Sequence, residues 1–226
     1  MKKYILILGL LFNVSTYAEV LTSGYCGRKD EEGNFGTNCE WRYEDGTLYV
    51  SGEGPTHTSI WVDYPWHTEL SGSVEHIVVE NGITDLGMHA FYNMNNVTDV
   101  SLPSSLEVIS YNAFRNMGAL TSLIIPDSVT KIHGDTNSYP VSSTLENLYC
   151  SAAQKKICEN ALEWSGLDKN VLKTYEKING QYVYGGKFYN TLSDINTTKN
   201  IKKRIYTIDE ANRVAGTKNR VSITYR

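Results

Sequence analysis

The sequence predicts a β-rich solenoid of parallel strands, preceded by a β-hairpin cap and followed by a small α+β module. Three observations carry that prediction. The pattern apolar-x-x-apolar-x-apolar recurs at Val74, Val97, Leu120 and Leu145, and the first three starts are 23 residues apart. Further columns keep the same step: Ile83, Leu106 and Val129; Leu86, Ile109 and Ile132; Ala90 and Ala113; Phe91 and Phe114; Met94 and Met117. The composition also favours strands and turns, with 16 tyrosines and 18 glycines.

The chain begins Met1-Lys2-Lys3, followed by an apolar run from Ile5 to Phe12 and small residues up to Ala18. A basic start, a short apolar run and a small-residue site are the parts of a secretory signal, here residues 1–18. The run is too short to span a bilayer. Export to the periplasm, the cell surface or the medium is therefore expected.

Residues 19–73 read as an N-terminal cap. Asp45-Gly46 separates two alternating runs, the signature of a hairpin with a type I′ turn. Trp41, Tyr43, Leu48 and Val50 fall on one face of that hairpin and are expected to cover the first repeat, because the open end of a stacked array exposes its core and a strand edge. Trp61, Tyr64 and Trp66 are read as buried cap residues rather than a carbohydrate platform.

Residues 74–150 hold the repeats. Each supplies a strand, a second extended segment and a turn region carrying Ala-Phe, none of which buries its apolar face alone. Stacking makes one shared interior. The alanine leaves room at a tight bend, and the phenylalanine points inward. After Ile132 a polar loop, His133 to Pro140, replaces the Ala-Phe turn, and the step to Leu145 lengthens to 25 residues. The array begins to end there.

These residues resemble the BspA-type leucine-rich repeats of bacterial surface proteins. The likeness is carried by Leu123-Ile124-Ile125-Pro126-Asp127-Ser128-Val129-Thr130-Lys131-Ile132 and by Ala113 to Leu123, with methionine at 94 and 117 where the family often has cysteine. Cys26-Gly27, the stretch Cys39 to Gly52, and Pro65-Trp66 are similar to the segment that precedes such arrays. Together the likeness spans roughly residues 22–150. It implies a leucine-rich-repeat fold and a surface-exposed protein engaged in adhesion to host or matrix proteins. The family shares no site motif, so no binding residues carry over.

Ser151 to Trp164 reads as a closing helix within residues 151–167. Ala153, Ile157, Ala161 and Leu162 share one face, with Ser151 as cap and Gly166 as terminator. Residues 168–226 read as the α+β module. Strands are expected over 173–178, 181–184 and 187–192, turning at Asn179-Gly180 and Gly185-Gly186. Thr207 to Glu210 forms a capping box opening a helix to Ala215, and 221–225 alternates as a last strand. The module serves as a structural cap or as a docking signal for a cell surface or partner.

The cysteines are Cys26, Cys39, Cys150 and Cys158, an even count that suggests disulfides in an exported chain. Three pairings are open. The local ones, Cys26–Cys39 and Cys150–Cys158, are favoured, although the second needs a turn before the helix. A straight helix would hold the two Cα atoms about 10 Å apart. Zinc binding is disfavoured, because there is no CxxC and no histidine at ligand spacing.

Charge is uneven along the chain. Without Lys2 and Lys3, 19 basic residues stand against 25 acidic ones, a net of −6. From Lys199 onward the tail is +6, leaving −12 on the body, which argues against nucleic acid as a partner. The tail suits an anionic envelope or the acidic body itself.

His57, His67, His76, His89 and His133 stand in no HExxH or triad context and are expected to be solvated or locally hydrogen-bonded. No nucleophile elbow, P-loop or dinucleotide fingerprint occurs, so neither an enzyme nor a cofactor is expected. Binding is expected on the outward strand residues. His76, Asp99, Ser122 and Asn147 form one column, and Val78, Ser101, Ile124 and Tyr149 the next, with rungs about 4.8 Å apart. The partner expected is a host or matrix protein or a glycan. The rival roles are an envelope-assembly component without a specific ligand and an enzyme scaffolded on the repeats.

Overall fold

The computed structural model describes residues 22–58, 63–68, 70–185 and 187–189. The signal at 1–18, Trp61, the helix expected at 207–215 and the strand expected at 221–225 lie outside them. The contacts divide the chain into two compact units, the first running to Glu176 and the second beginning at Lys177. Among the described residues the fold is β-rich, with one α-helix of ten residues.

The first sheet is built on the hairpin. Strands β2 (Cys39–Glu44) and β3 (Thr47–Gly52) pair antiparallel, with β1 (Ser23–Tyr25) on the outer side of β2. Asp45 and Gly46 both take positive φ, 47° and 77°, as a type I′ turn requires. Trp41, Leu48 and Val50 are buried and Tyr43 is half-buried. Beyond β3 the pairing turns parallel. Leu48 lies opposite Ile77 of β5 (His76–Val79), and Ile77 opposite Val100 of β7 (Asp99–Ser101).

A second, wholly parallel sheet joins the shorter extended segments. In order it holds β4 (Gly54–Pro55), β6 (Ile83–Leu86), β8 (Val108–Ile109) and β10 (Lys131–Ile132). A third sheet pairs β9 (Ser122–Ile124) in parallel with β11 (Asn147–Ser151). The ladder is divided between β7 and β9, which lie against each other but belong to separate sheets. Every apolar column named from the sequence is buried, with Ala90, Phe91, Met94, Ala113, Phe114 and Met117 wholly shut off from solvent. Four rings run through this core. Tyr64 stacks on Trp66 at 4.7 Å, Trp66 on Phe91 at 6.0 Å, and Phe91 on Phe114 at 5.7 Å.

The repeats also share a backbone device. His89 and Asn112, one step apart, adopt φ of 62° and 57°, and Asn93 and Asn116 adopt 62° and 58°. Short polar side chains tolerate this left-handed conformation by bonding locally. Here the bonds run between rungs, from the Asn116 side-chain amide to Asn93 Oδ1 at 3.0 Å, and between Asn112 and the His89 ring at 3.1 Å.

The polar loop after Ile132 closes by a different route from the Ala-Phe turn. The Phe91 N–H donates to Ala113 O, and the Phe114 N–H donates to Pro140 O. Pro140-Val141 therefore stands where Ala-Phe would be, and Val141 is buried. Ser142 and Thr144 then tie down Met117 O, and Thr144 also Leu120 O.

The closing helix begins later than the sequence suggests. A 3-10 turn, Ala152–Gln154, precedes α1 (Lys155–Trp164), and Ser151 with Gln154 forms a capping box on that turn. The tighter winding takes Ala153 out of phase. It is exposed rather than part of the apolar face, and the buried set is Gln154, Cys158, Ala161 and Leu162. The Gln154 amide donates to Pro126 O at 2.6 Å and Val129 O at 2.9 Å. Gly166, at φ 68°, ends the helix as expected.

Of the two favoured disulfides, Cys26–Cys39 is formed, with the Cα atoms 4.9 Å apart. Cys150 and Cys158 remain two buried thiols, contrary to the favoured pairing. The turn at residues 152–154 folds α1 back against β11, and both thiols lie in the same apolar core.

Strand β12 (Leu172–Ile178) extends the third sheet. Leu172 to Tyr175 pair in parallel with Leu148 to Ser151 of β11, and the buried Tyr175 hydroxyl donates to Asp127 at 2.8 Å. In the second unit Asn179 and Gly180 turn at positive φ, and β13 (Gln181–Tyr184) forms an antiparallel hairpin with β14 (Lys187–Tyr189). Of the meander read from the sequence, strands stand over Leu172–Ile178, Gln181–Tyr184 and Lys187–Tyr189, residues 190–192 of the expected third strand lie outside the described residues, and the first strand also pairs with β11.

Candidate recognition face

Alternation along each strand puts every second side chain on the face opposite the core. Parallel register then aligns those side chains into columns. His76 lies opposite Asp99, and Val78 opposite Ser101. In the third sheet Ser122 lies opposite Asn147, and Ile124 opposite Tyr149. Within each ladder the two expected columns are therefore in register.

Their accessibility differs. His76, Asp99 and Ser101 are exposed, and Val78, Ser122 and Ile124 are half-buried. Asn147 and Tyr149 are buried, at 4% and 2% exposure, and do not face solvent as the sequence reading had them. Strand β11 is interior, with β9 on one side and β12 on the other, and Tyr149 sits opposite Lys173. The Asn147 amide is turned onto the Ser122 hydroxyl at 3.4 Å.

At the other end the face continues onto residues that sequence reasoning left out. Thr47 and Tyr49 of β3 lie opposite His76 and Val78, and Glu44 and Arg42 of β2 lie opposite Thr47 and Tyr49. Arg42 lays its guanidinium 3.5 Å over the Tyr49 ring and is ion-paired with Glu44 at 3.0 Å and Glu80 at 3.7 Å. The signal was available: in the hairpin these four residues alternate with Trp41, Tyr43, Leu48 and Val50. What the sequence does not reveal is that the hairpin continues the repeat ladder in parallel. Beside the face an open cleft of about 530 Å³ runs between the turns that follow β5 and β7, lined by Glu80, Asn81, Ser101, Leu102, Pro103 and Ser104.

His57 is buried, its Nε2 3.2 Å from Asp63, while Lys29 pairs with the other Asp63 oxygen at 2.8 Å. Desolvation lowers the His57 pKa against the pull of Asp63. The neighbouring Thr56 and Tyr64 hydroxyls bond each other and the His57 carbonyl rather than its ring. His67 departs from expectation. Both ring nitrogens are buried with no hydrogen-bond partner among the described residues, and burial pushes its pKa down to about 4. His133 packs on Tyr111, with ring centroids 5.1 Å apart. No group of three or more His, Cys, Asp or Glu among the described residues is placed to hold a metal ion, and no helix among them is long and apolar enough to cross a membrane.

Comparison with known proteins adds the family. The family described as "BspA type Leucine rich repeat region (6 copies)" matches residues 69–191. No curated protein matches the chain. Among solved structures, a leucine-rich repeat protein from Eubacterium ventriosum is 19% identical, with 66% of this chain and 47% of that one covered and a TM-score of 0.35. A leucine rich cell surface protein from Faecalibacterium prausnitzii is 16% identical, with 61% and 37% covered and a TM-score of 0.43. The chain thus spans less than half the length of either protein. A leucine-rich repeat protein from Bacteroides capillosus is 24% identical, with 50% and 93% covered and a TM-score of 0.33. With its matched segment spanning more than half of the 226 residues, and no catalytic family indicated, the chain belongs to the BspA-type leucine-rich repeat family.

Proposed function

We propose that the protein is an exported recognition module whose repeats stack as a short solenoid, closed by the hairpin and by α1, and that it binds a protein or glycan at the cell surface. The observation that carries this reading is the register of β2, β3, β5 and β7, which aligns Arg42, Tyr49, Val78 and Ser101 in one column and Glu44, Thr47, His76 and Asp99 in the next. A row of mixed charge, aromatic and hydroxyl groups on rigid strands, beside an open cleft, suits recognition of a polar partner at little ordering cost. Ser122 and Ile124 extend the face as half-buried residues.

The test is binding of the mature chain to arrayed host matrix proteins and glycans. Asp99→Arg and His76→Glu should each lower the signal for the true ligand at least tenfold while leaving Tm within about 2 °C, since exposed substitutions cost little stability. A ligand held equally well by both variants would place its site elsewhere.

The second reading, an envelope component without a specific ligand, is favoured by one observation, the +6 charge of the tail against an acidic body. Retention on cells through that tail would be lost in a wash at about 1 M salt, where screening is nearly complete beyond roughly 3 Å.

A further inference from the structure

We infer that Arg115 anchors a second ligand site, on the turn edge of the repeats, that takes the carboxylate of an acidic sugar. The site is built from the turn after β8 and the polar loop after β10. It goes beyond the strand columns proposed above as the recognition face and does not depend on them.

Arg115 directly follows the inward Phe114, as Tyr92 follows Phe91 one step earlier, and both are half-buried. Its backbone is fixed on both sides. The Arg115 N–H donates to Asn112 O at 3.2 Å, and Arg115 O accepts from the Asn93 N–H at 3.0 Å. The side chain turns to the polar loop that replaces the third Ala-Phe turn. Its guanidinium carbon stands 4.5 Å from the Tyr139 ring centroid. Nη1 donates to Asn137 O at 3.1 Å and to Asn112 Oδ1 at 3.4 Å. These contacts position the guanidinium without neutralising it.

What the arrangement lacks is an anion. No carboxylate among the described residues lies within 4.0 Å of Arg115. The loop's own acid, Asp135, accepts from the Asn137 N–H at 2.7 Å instead. Nη2 makes no hydrogen bond among the described residues, and Nε is buried without a partner. An unsatisfied buried donor raises the free energy of the empty site. A carboxylate against Nη2 and Nε supplies both acceptors, in the two-pronged geometry that a guanidinium favours.

The surroundings select the rest of the ligand. The side chains that touch Arg115 are an amide, Asn112, and a phenol, Tyr139, so the anchor carries a single charge. One charge among neutral groups matches a carboxylate better than a doubly charged phosphate. Nearby, the Asn116 amide reaches the Tyr92 hydroxyl at 3.5 Å. Amides and phenols of this kind offer hydrogen bonds to sugar hydroxyls, while the tyrosine rings offer apolar contact.

The mature chain is tested by biolayer interferometry on immobilised oligogalacturonate, hyaluronan oligosaccharide and 3′-sialyllactose. Oligogalacturonate methyl ester, lactose, dextran sulfate and a peptide with a free C-terminal carboxylate are run beside them. At least one carboxylated glycan should bind. If it is oligogalacturonate, its methyl ester, which keeps the sugar and loses the charge, should bind at least about tenfold more weakly. Arg115→Lys keeps the charge but not the fork and should also weaken binding at least about tenfold, with circular dichroism confirming the fold. In the parent chain the Arg115 Nε–Hε resonance, assigned by its absence from Arg115→Lys, should shift as the bound glycan is added. No binding of any carboxylated glycan, equal binding of acid and ester, or an unmoved Arg115 resonance overturns the proposal. Preference for dextran sulfate or the peptide overturns the ligand class. A glycan lost with His76→Glu and kept by Arg115→Lys sits on the strand face and overturns the site.

Discussion

His67 shows how much one side chain sets. Its ring sits at the edge of the stacked aromatics, 5.7 Å from Tyr64 and 6.3 Å from Trp66, and neither nitrogen has a partner among the described residues. The neutral form is favoured there, and the folded-state pKa falls to about 4 from the ordinary 6.5. A depressed histidine pKa means that the unfolded chain binds the proton first. Stability is therefore intact above pH 6.5 and declines as pH falls towards 4, by on the order of 2–3 kcal/mol for this group. Thermal melts between pH 7.5 and 4 should show His67→Phe losing less Tm than the parent; equal losses would show that His67 is not the acid-sensitive group. The buried phenylalanines give a second prediction at this scale. Phe91→Ala or Phe114→Ala removes a ring that meets its neighbours at 5.7 to 6.0 Å and should cost about 3–5 kcal/mol. A melt shifted by only a degree or two would contradict their packing.

At the scale of elements, the closing turn depends on a residue that periodicity could not single out. Gln154 is polar and sits where the helical reading expected surface. Its amide nevertheless satisfies Pro126 O and Val129 O, and its oxygen accepts from Ser151. Gln154→Leu strands those carbonyls and should cost about 2–3 kcal/mol, whereas Lys155→Leu, one residue on and exposed, should cost under about 0.5 kcal/mol. Chemical denaturation of the two variants makes the comparison. Legibility in the sequence follows the same division. The apolar columns from Val74 to Ile132 repeat in phase, so their burial was readable, as was the Asp45-Gly46 turn. Gln154, the replacement of Ala-Phe by Pro140-Val141, and the parallel pairing of β12 with β11 depend on contacts between distant segments. No local pattern encodes those.

For the whole molecule the same limit governs the proposed recognition face. Its two middle rungs were legible as outward positions of repeated strands. Its extension to Arg42 and Tyr49 follows from β3 entering the ladder in parallel, and its closure at Asn147 and Tyr149 from β12 on the far side. A partner bound across this face should protect backbone amides of β3, β5 and β7 together in hydrogen exchange. Protection confined to one strand would point to a smaller footprint than the one proposed.

The asparagine and histidine positions with left-handed backbone recur one step apart, and Phe91 meets Trp66 on one side and Phe114 on the other in a similar offset. A unit that fits the copy before it also fits the copy after it. Such a gene can lengthen by slippage or unequal crossing-over without new joints having to be invented. Duplicating the 23 residues Val97–Ala119 in tandem should give a soluble, cooperatively melting chain, and the same insertion shortened by one residue should not. Circular dichroism of the two proteins reads the difference, and equal folding of both would mean that length, rather than register, is what this architecture conserves.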